Sequence, residues 1–193
     1  METKQMIRKA VKAKLANIQK PEYEDKSYQI AQTLFSDPYW KDAKTVAITV
    51  SNPPEADTLQ IIRKGWELGK KIAVPKCIPE SKGMVFRTLT RFSELESSFF
   101  NLYEPIEGLT EAVSANEIDL MIVPGVAFTY DCYRIGHGGG YYDRYLTNFN
   151  GKTVSLAFEE QLIDRFQVEE HDIPVMKLIT DKKVIELNRG KRF

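Results

Sequence analysis

Cysteine is scarce in this chain of 193 residues, which carries only Cys77 and Cys132. Two thiols are too few for a disulfide framework, and these two stand too far apart for a zinc-binding pair. They read as reduced thiols, and the expected location is cytoplasmic. Net charge is lacking as well. Lys and Arg number 27, Asp and Glu also 27, so no global basic field draws the chain to nucleic acid or an anionic membrane. Neither is expected as a partner. No run approaches the ~20 apolar residues that cross a bilayer. The N-terminal METKQMIRKAVKAKL is basic, yet without a continuous apolar run or a small-residue cleavage site it does not read as a secretory signal. Repeats, low-complexity linkers and Ser/Gly tethers are absent. What remains is ordinary globular composition, 42% apolar and 28% charged, at a length suited to one domain with its own core. Residues 1–193 are read as a single domain.

Apolar spacing predicts the elements. Ile7, Val11, Leu15 and Ile18 share one stripe, predicting a helix over 3–19 that Pro21 ends. A second helix is expected over 24–35, with Ile30, Leu34 and Phe35 inward. The β-branched run Thr45–Val50 reads as a buried strand. Asp57, with Gln60 three residues on, predicts a capped helix to Leu68, stopped by Gly69. A strand Lys71–Val74, ended by Pro75, completes a βαβ unit and implies a parallel pair. Further strands are expected at Met84–Leu89, Asp119–Val123, Thr153–Ala157, Lys177–Thr180 and Lys183–Leu187. Residues 97–117 read as loop with a short helix, 124–140 as a long loop, and 141–148 as a helix. The alternation predicts an α/β fold: one open, mostly parallel sheet with helices on both faces, a Rossmann-like three-layer arrangement.

The informative stretch is PGVAFTYDCYRIGHGGGYYDRYL, Pro124 to Leu146. It leaves the carboxyl end of a buried strand and enters a helix, where ligands sit in open α/β sheets. Gly136, Gly138, Gly139 and Gly140 strip side chains from four of five positions, so the backbone can approach an anion and turn N–H groups toward it. The following helix would add the partial positive charge of its N-terminus. Arg134 offers a planar fork suited to phosphate, and Asp143 could hold a magnesium ion bridging phosphates. The competing reading is a tight strand-to-helix turn in which Asp143 merely favours the helix dipole. No Gly-Lys-Ser/Thr closes a Walker A loop, and Tyr141 breaks a G-x-G-x-x-G pattern. The run His137–Gly140 resembles the oxyanion loop of lipases, but no G-x-S-x-G elbow accompanies it.

The same segment resembles the signature of the 5-formyltetrahydrofolate cyclo-ligases, or methenyltetrahydrofolate synthetases. Their pattern is close to P-G-x-A-F-D followed by R-L-G-x-G-x-G-Y-Y-D. Here Pro124-Gly125-Val126-Ala127-Phe128-Thr129 is followed by Arg134-Ile135-Gly136-His137-Gly138-Gly139-Gly140-Tyr141-Tyr142-Asp143. Lys4 and Arg8 fit the family's opening K-x-x-x-R, Glu55 and Thr58 an E-x-x-T element, Glu104-Pro105 a Glu-Pro pair, and His171-Asp172 a late H-D pair. One departure is clear: Thr129 stands where the family usually has Asp, and Tyr130–Tyr133 lacks the common glycine.

The resemblance implies that 5-formyltetrahydrofolate is converted to 5,10-methenyltetrahydrofolate, with ATP cleaved to ADP and phosphate. It implies Mg2+ as cofactor, ATP as co-substrate and small molecules as partners. Lys4 and Arg134 would be catalytic. Lys4, Arg8, Arg134, Gly136, His137, Gly138, Gly139, Gly140, Tyr141 and Tyr142 would hold the nucleotide. Val50, Glu55, Phe128 and Tyr142 would line the folate site, and Asp143 and Asp172 would bind metal. His137 is read as a phosphate donor rather than a catalytic base, and Arg189, Lys191 and Arg192 as a solvated tail. A monomer or weak dimer is expected. The rivals are a sugar-phosphate isomerase or CoA-transferase-like enzyme, a non-catalytic folate- or nucleotide-binding protein, and a thiol enzyme pairing Cys132 with His137.

Overall fold

The computed structural model describes residues 3–98 and 102–187; the basic tail at 189–192 lies outside them. Helix α1 (Lys4–Leu15) starts where the Thr3 side chain accepts the amide of Met6. It buries Ile7, Val11 and Leu15. It is shorter than expected, and Pro21 does not end it. Pro21 lies in the first turn of the next helix, α2 (Lys20–Ser36), where its missing N–H would have no helical partner anyway. A five-residue helix, α3 (Pro38–Asp42), is capped by the Asp37 carboxylate on the amide of Tyr39.

The main sheet has eight strands. In chain order they are β1 (Thr45–Ala47), β2 (Lys71–Ile78), β3 (Gly83–Thr88), β6 (Ala112–Val113), β7 (Leu120–Ile122), β10 (Lys152–Ala157), β12 (Lys177–Thr180) and β13 (Val184–Glu186). Two more form a separate hairpin, β4 (Leu95–Ser97) with β5 (Tyr103–Pro105). A small sheet joins β8 (Ala127–Thr129), β9 (Arg134–Ile135) and β11 (Leu162–Ile163). The main order is β13-β12-β10-β7-β1-β2-β3-β6. Its central strands β12, β10, β7, β1 and β2 are parallel, and β13, β3 and β6 add antiparallel edges.

Alternation along each strand feeds two cores. Val46, Ile48, Ile72, Val74, Leu120, Ile122, Val154 and Ile179 face the side where α1 to α3 and helix α4 (Leu59–Glu67) pack. Ala47, Ala73, Met121, Val123, Ala157 and Leu178 face the other side, covered by helix α5 (Tyr141–Leu146) and by Phe128 and Cys132 of the β8–β9 hairpin. Helices therefore flank both faces, but unequally. Among the described residues, no helix is long and apolar enough to cross a membrane.

Three local expectations fail for physical reasons. Pro75 does not end β2, which runs on to Ile78. Ala73 accepts from Ile48 on the β1 side. Pro75, two residues further, faces the same side after β1 has ended, so its missing N–H costs no ladder bond. Residues 97–117 are not simple loop. The buried Glu104 accepts from the Cys77 amide at 3.0 Å and the Ser98 hydroxyl at 2.9 Å, and so fastens the β4–β5 hairpin to β2. The loop over 124–140 contains the β8–β9 hairpin. At its tip the Thr129 hydroxyl accepts the amide of Tyr133 at 3.2 Å, and Thr129 and Tyr133 also bond through their backbones. Thr129 thus performs the turn-holding that a short acceptor side chain supplies.

The second core converges on Phe86, fully buried, whose ring meets Tyr142 and Tyr145 of α5 edge-on at 6.4 and 5.0 Å. Phe86→Ala is expected to cost about 3–5 kcal/mol. Urea unfolding measures it; a loss below about 1 kcal/mol would mean that α5 is held elsewhere.

Candidate active site

Taken in chain order, the parallel strands lie in space as second, first, third, fourth, fifth, so the winding reverses between β1 and β7. Beyond the carboxyl ends of such a pair a crevice opens, because the connections leave in opposite directions. Here a narrow crevice is lined by Thr49, Ser51, Glu55 and Thr58 after β1, Pro124 and Gly125 after β7, and Gln161 after β10. A larger cavity of about 690 Å³ lies at the opposite end of the sheet, between Tyr39, Asn116, Asn150 and Lys152. It contains none of the glycine-loop residues.

The first wall is the segment that carries Glu55. Ser51 and Thr58 bind each other's amides through their hydroxyls, both at 2.9 Å, and Thr58 also donates to the Thr49 carbonyl at 2.6 Å. Because that hydroxyl is committed, the α4 cap falls to Asp57, whose carboxylate accepts from the Leu59 amide and the Gln60 side chain. The Glu55 amide donates to Asn52, and the Tyr23 hydroxyl donates to the Glu55 carbonyl at 2.9 Å. Burial pushes the Tyr23 phenol up to about 12, so it stays a donor at neutral pH. The backbone of Glu55 is thereby braced on both sides, leaving a half-buried carboxylate directed at the glycine loop.

The second wall is the glycine loop with Arg134. Arg134 leaves β9 with its side chain 2% exposed and gives one Nη2 bond to Asp143 Oδ1 at 2.8 Å. Burial lowers its pKa, and the negative charges of Asp143 and Asp172 oppose that shift. Asp172 therefore lies within electrostatic reach of the same guanidinium. A Cβ at Gly136 would stand 3.2 Å from Arg134 Nη1, so the guanidinium passes directly under this bare backbone. Gly138 has φ of +112°, which a side chain would strain. Arg8 donates through Nε to the Gly136 carbonyl at 2.7 Å. Of the two α1 cations expected near the loop, Arg8 is thus brought there.

Lys4 is held differently. Its ammonium meets both Asp172 oxygens, at 2.9 and 2.7 Å, and Glu169 at 2.7 Å. Partial burial disfavours the ammonium, but the two carboxylates outweigh it and raise its pKa. Asp172 also caps its own turn by accepting the Glu169 amide. Glu169, His171 and Asp172 bring ligand atoms within 4.8 Å of one another, but Lys4 already holds that acidic group. Asp143 and Asp172 do not stand as an open carboxylate pair: each is tied to a cation. Asp143 spends one oxygen on Arg134, so by donor chemistry it fits a hard cation such as magnesium. Asp172 would first have to release Lys4.

The remaining expected residues divide. Val50 is buried at the end of the β1 segment and Tyr142 is half-buried. Phe128 is fully buried, and a Cβ on Gly125 would meet its ring at 2.7 Å. It supports the Pro124–Gly125 turn from below and presents no face to a ligand. Helix α5 is six residues long and ends at Leu146, short of the helix expected to 148. A helix this short contributes little dipole, so positive charge at the loop comes from Arg134 and Arg8. Two buried polar atoms lack partners here, Arg134 Nε and the Tyr142 hydroxyl. Burial raises the Tyr142 pKa, so that hydroxyl is a protonated donor. Orphaned donors beside a backbone without side chains fit an anionic, oxygen-rich ligand.

Gln161 escaped the sequence reading. It is buried and donates to the carbonyls of Gly125 and Val126, both at 3.2 Å, while accepting the Phe158 amide. It holds the Pro124–Gly125 turn, yet nothing in Glu-Glu-Gln marks it.

This geometry has known counterparts. The 5-formyltetrahydrofolate cyclo-ligase family model matches residues 1–181. The chain belongs to that family. The 5-formyltetrahydrofolate cyclo-ligase of Escherichia coli (strain K12) is 35% identical over 148 residues, covering 75% of this chain and 81% of its own. That of Mus musculus is 30% identical over 187 residues, covering 91% and 92%. The NMR structure of Aquifex aeolicus 5,10-methenyltetrahydrofolate synthetase superposes with a TM-score of 0.85 at 32% identity, covering 98% of this chain and 95% of that one. The family is one of ligases acting in folate metabolism, which excludes the isomerase, CoA-transferase and thiol-enzyme readings as class assignments.

Asp143→Ala would leave the Arg134 guanidinium buried and unpaired. The expected loss is about 3–5 kcal/mol of folding stability, with a smaller loss for Asp143→Asn, which keeps an acceptor oxygen. Urea denaturation of both variants decides; equal losses would mean that charge pairing, rather than the hydrogen bond, carries the contact.

Proposed function

We propose that the protein converts 5-formyltetrahydrofolate to 5,10-methenyltetrahydrofolate at the expense of ATP, with magnesium. The observation that carries the reading is the convergence of Arg8 and Arg134 on one glycine-rich loop, facing a braced carboxylate, Glu55, across the crevice.

A formamide oxygen is a poor leaving group. Transfer of the terminal phosphoryl group of ATP to that oxygen breaks the bond to the ADP oxygen and forms a phosphate ester. The nitrogen at position 10 then attacks the formyl carbon, loses its proton, and phosphate departs with the C–O bond. Positioning and charge stabilisation are what the protein must supply. Arg134 bears on the transferring phosphoryl oxygens, with its unpartnered Nε as an available donor. Arg8 and Lys4 neutralise the remaining phosphates. Asp143 would hold magnesium, joined by Asp172 once Lys4 has turned to a phosphate; the ion would supply charge neutralisation between phosphate groups. Glu55 accepts from the donor edge of the pterin, and the ring of Tyr142 flanks it.

Mixing the purified protein with 5-formyltetrahydrofolate, ATP and magnesium should produce the near-ultraviolet absorbance of the methenyl product, lost when ATP or magnesium is omitted. A folded protein without this signal would overturn the assignment. Arg134→Ala is expected to lower turnover at least about 100-fold, the size of losing one transition-state donor; unchanged turnover removes Arg134 from the mechanism. Burial pushes the thiols of Cys77 and Cys132 up to about 11. At neutral pH both stay protonated, and treatment with an alkylating reagent should leave turnover intact.

A further inference from the structure

His137 stands in the glycine loop, and its Nε2 lies 2.8 Å from Glu55 Oε1. This contact joins the two walls of the crevice: the nucleotide side through His137 and the folate side through Glu55. Its partners differ in freedom. Glu55 is braced through its amide and carbonyl, and its side chain is 28% exposed. His137 sits between Gly136 and Gly138, and its side chain is 51% exposed. The imidazole is thus the half that can leave.

Both atoms of the contact have another use under the functional reading above, on which this inference rests. The pterin edge presents adjacent N–H donors that need the Glu55 carboxylate. The nucleotide presents phosphate oxygens that need donors such as His137 Nε2–H. The contact occupies Glu55 Oε1 and His137 Nε2, so a substrate that uses either atom must displace it.

We infer that the Glu55–His137 contact is a clasp that couples the two substrates: whichever binds first breaks it, and the second then binds without that cost. His137 acts here as a positioning residue, through Glu55 and the loop, not on the reacting atoms. Linkage requires the effect to be reciprocal, so each substrate tightens the other by the same factor. A single partly exposed hydrogen-bonded pair corresponds to a coupling of about three- to tenfold in affinity.

The test measures the dissociation constant of 5-formyltetrahydrofolate by calorimetry, with and without a saturating non-hydrolysable ATP analogue and magnesium. It compares the unmodified protein, His137→Ala and His137→Gln. In the unmodified protein the analogue should tighten folate binding about three- to tenfold. His137→Ala should bind folate more tightly than the unmodified protein when no nucleotide is present, by about the same factor, and the analogue should then add nothing. His137→Gln, whose amide can still reach Glu55, should retain part of the coupling. Weaker folate binding by His137→Ala without nucleotide would overturn the clasp, as would undiminished coupling in that variant. Failure of the unmodified protein to bind folate at all is a different result: it would overturn the functional reading, and the inference with it.

Discussion

Burial of the Arg134 guanidinium is the constraint around which the rest of the site is arranged. A cation with a side chain 2% exposed cannot stand alone in a protein interior. Asp143 meets it from α5, Tyr142 places its ring 5.9 Å from it, and Gly136 leaves no side chain in its way. Each partner comes from the same short stretch of chain, so the spacing from Arg134 to Asp143 is the contact written as sequence. The buried Nε of Arg134 still lacks a partner. Fully satisfied, the guanidinium would be only structural; with Nε unpartnered it is a structural group that retains binding capacity.

The sheet explains why that stretch lies where it does. The winding reverses between β1 and β7, which opens the crevice beyond their carboxyl ends. The β8–β9 hairpin then carries the chain across one face of the sheet to deliver Arg134, and Phe86 receives α5 on the same face. Helix α1 belongs to the other layer, yet packs against β8, so its Arg8 reaches the loop and its Lys4 reaches Asp172, each from more than 120 residues away in sequence. Separate layers thus contribute to one site because both pack on the β8–β9 insertion.

Much of this was legible in the chain. Parallel strands buried on both faces show as apolar runs, and Thr45–Ala47, Leu120–Ile122 and Lys152–Ala157 fall inside or beside the runs that predicted them. Errors clustered where tertiary partners override local signals. Pro75 sits inside a strand because its neighbour has already ended, and Pro21 opens a helix instead of closing one. The hairpins in 95–105 and 127–135 were invisible because their strands are two or three residues long, too short for alternation to register.

The sequence by itself determined the fold class, the family and the place of the glycine-rich loop, because these depend on periodicity and on a contiguous signature whose residues contact one another. Tertiary structure alone decided which charges are spent and which remain. Asp172 proved to hold Lys4, Glu55 to hold His137, Phe128 to lie in the core, and Gln161 to support the turn at Gly125. Each of those contacts, apart from the burial of Phe128, joins residues at least 36 positions apart. No local pattern carries such information: a hydrogen bond across that separation depends on how the layers pack, and the residue types alone permit many partners.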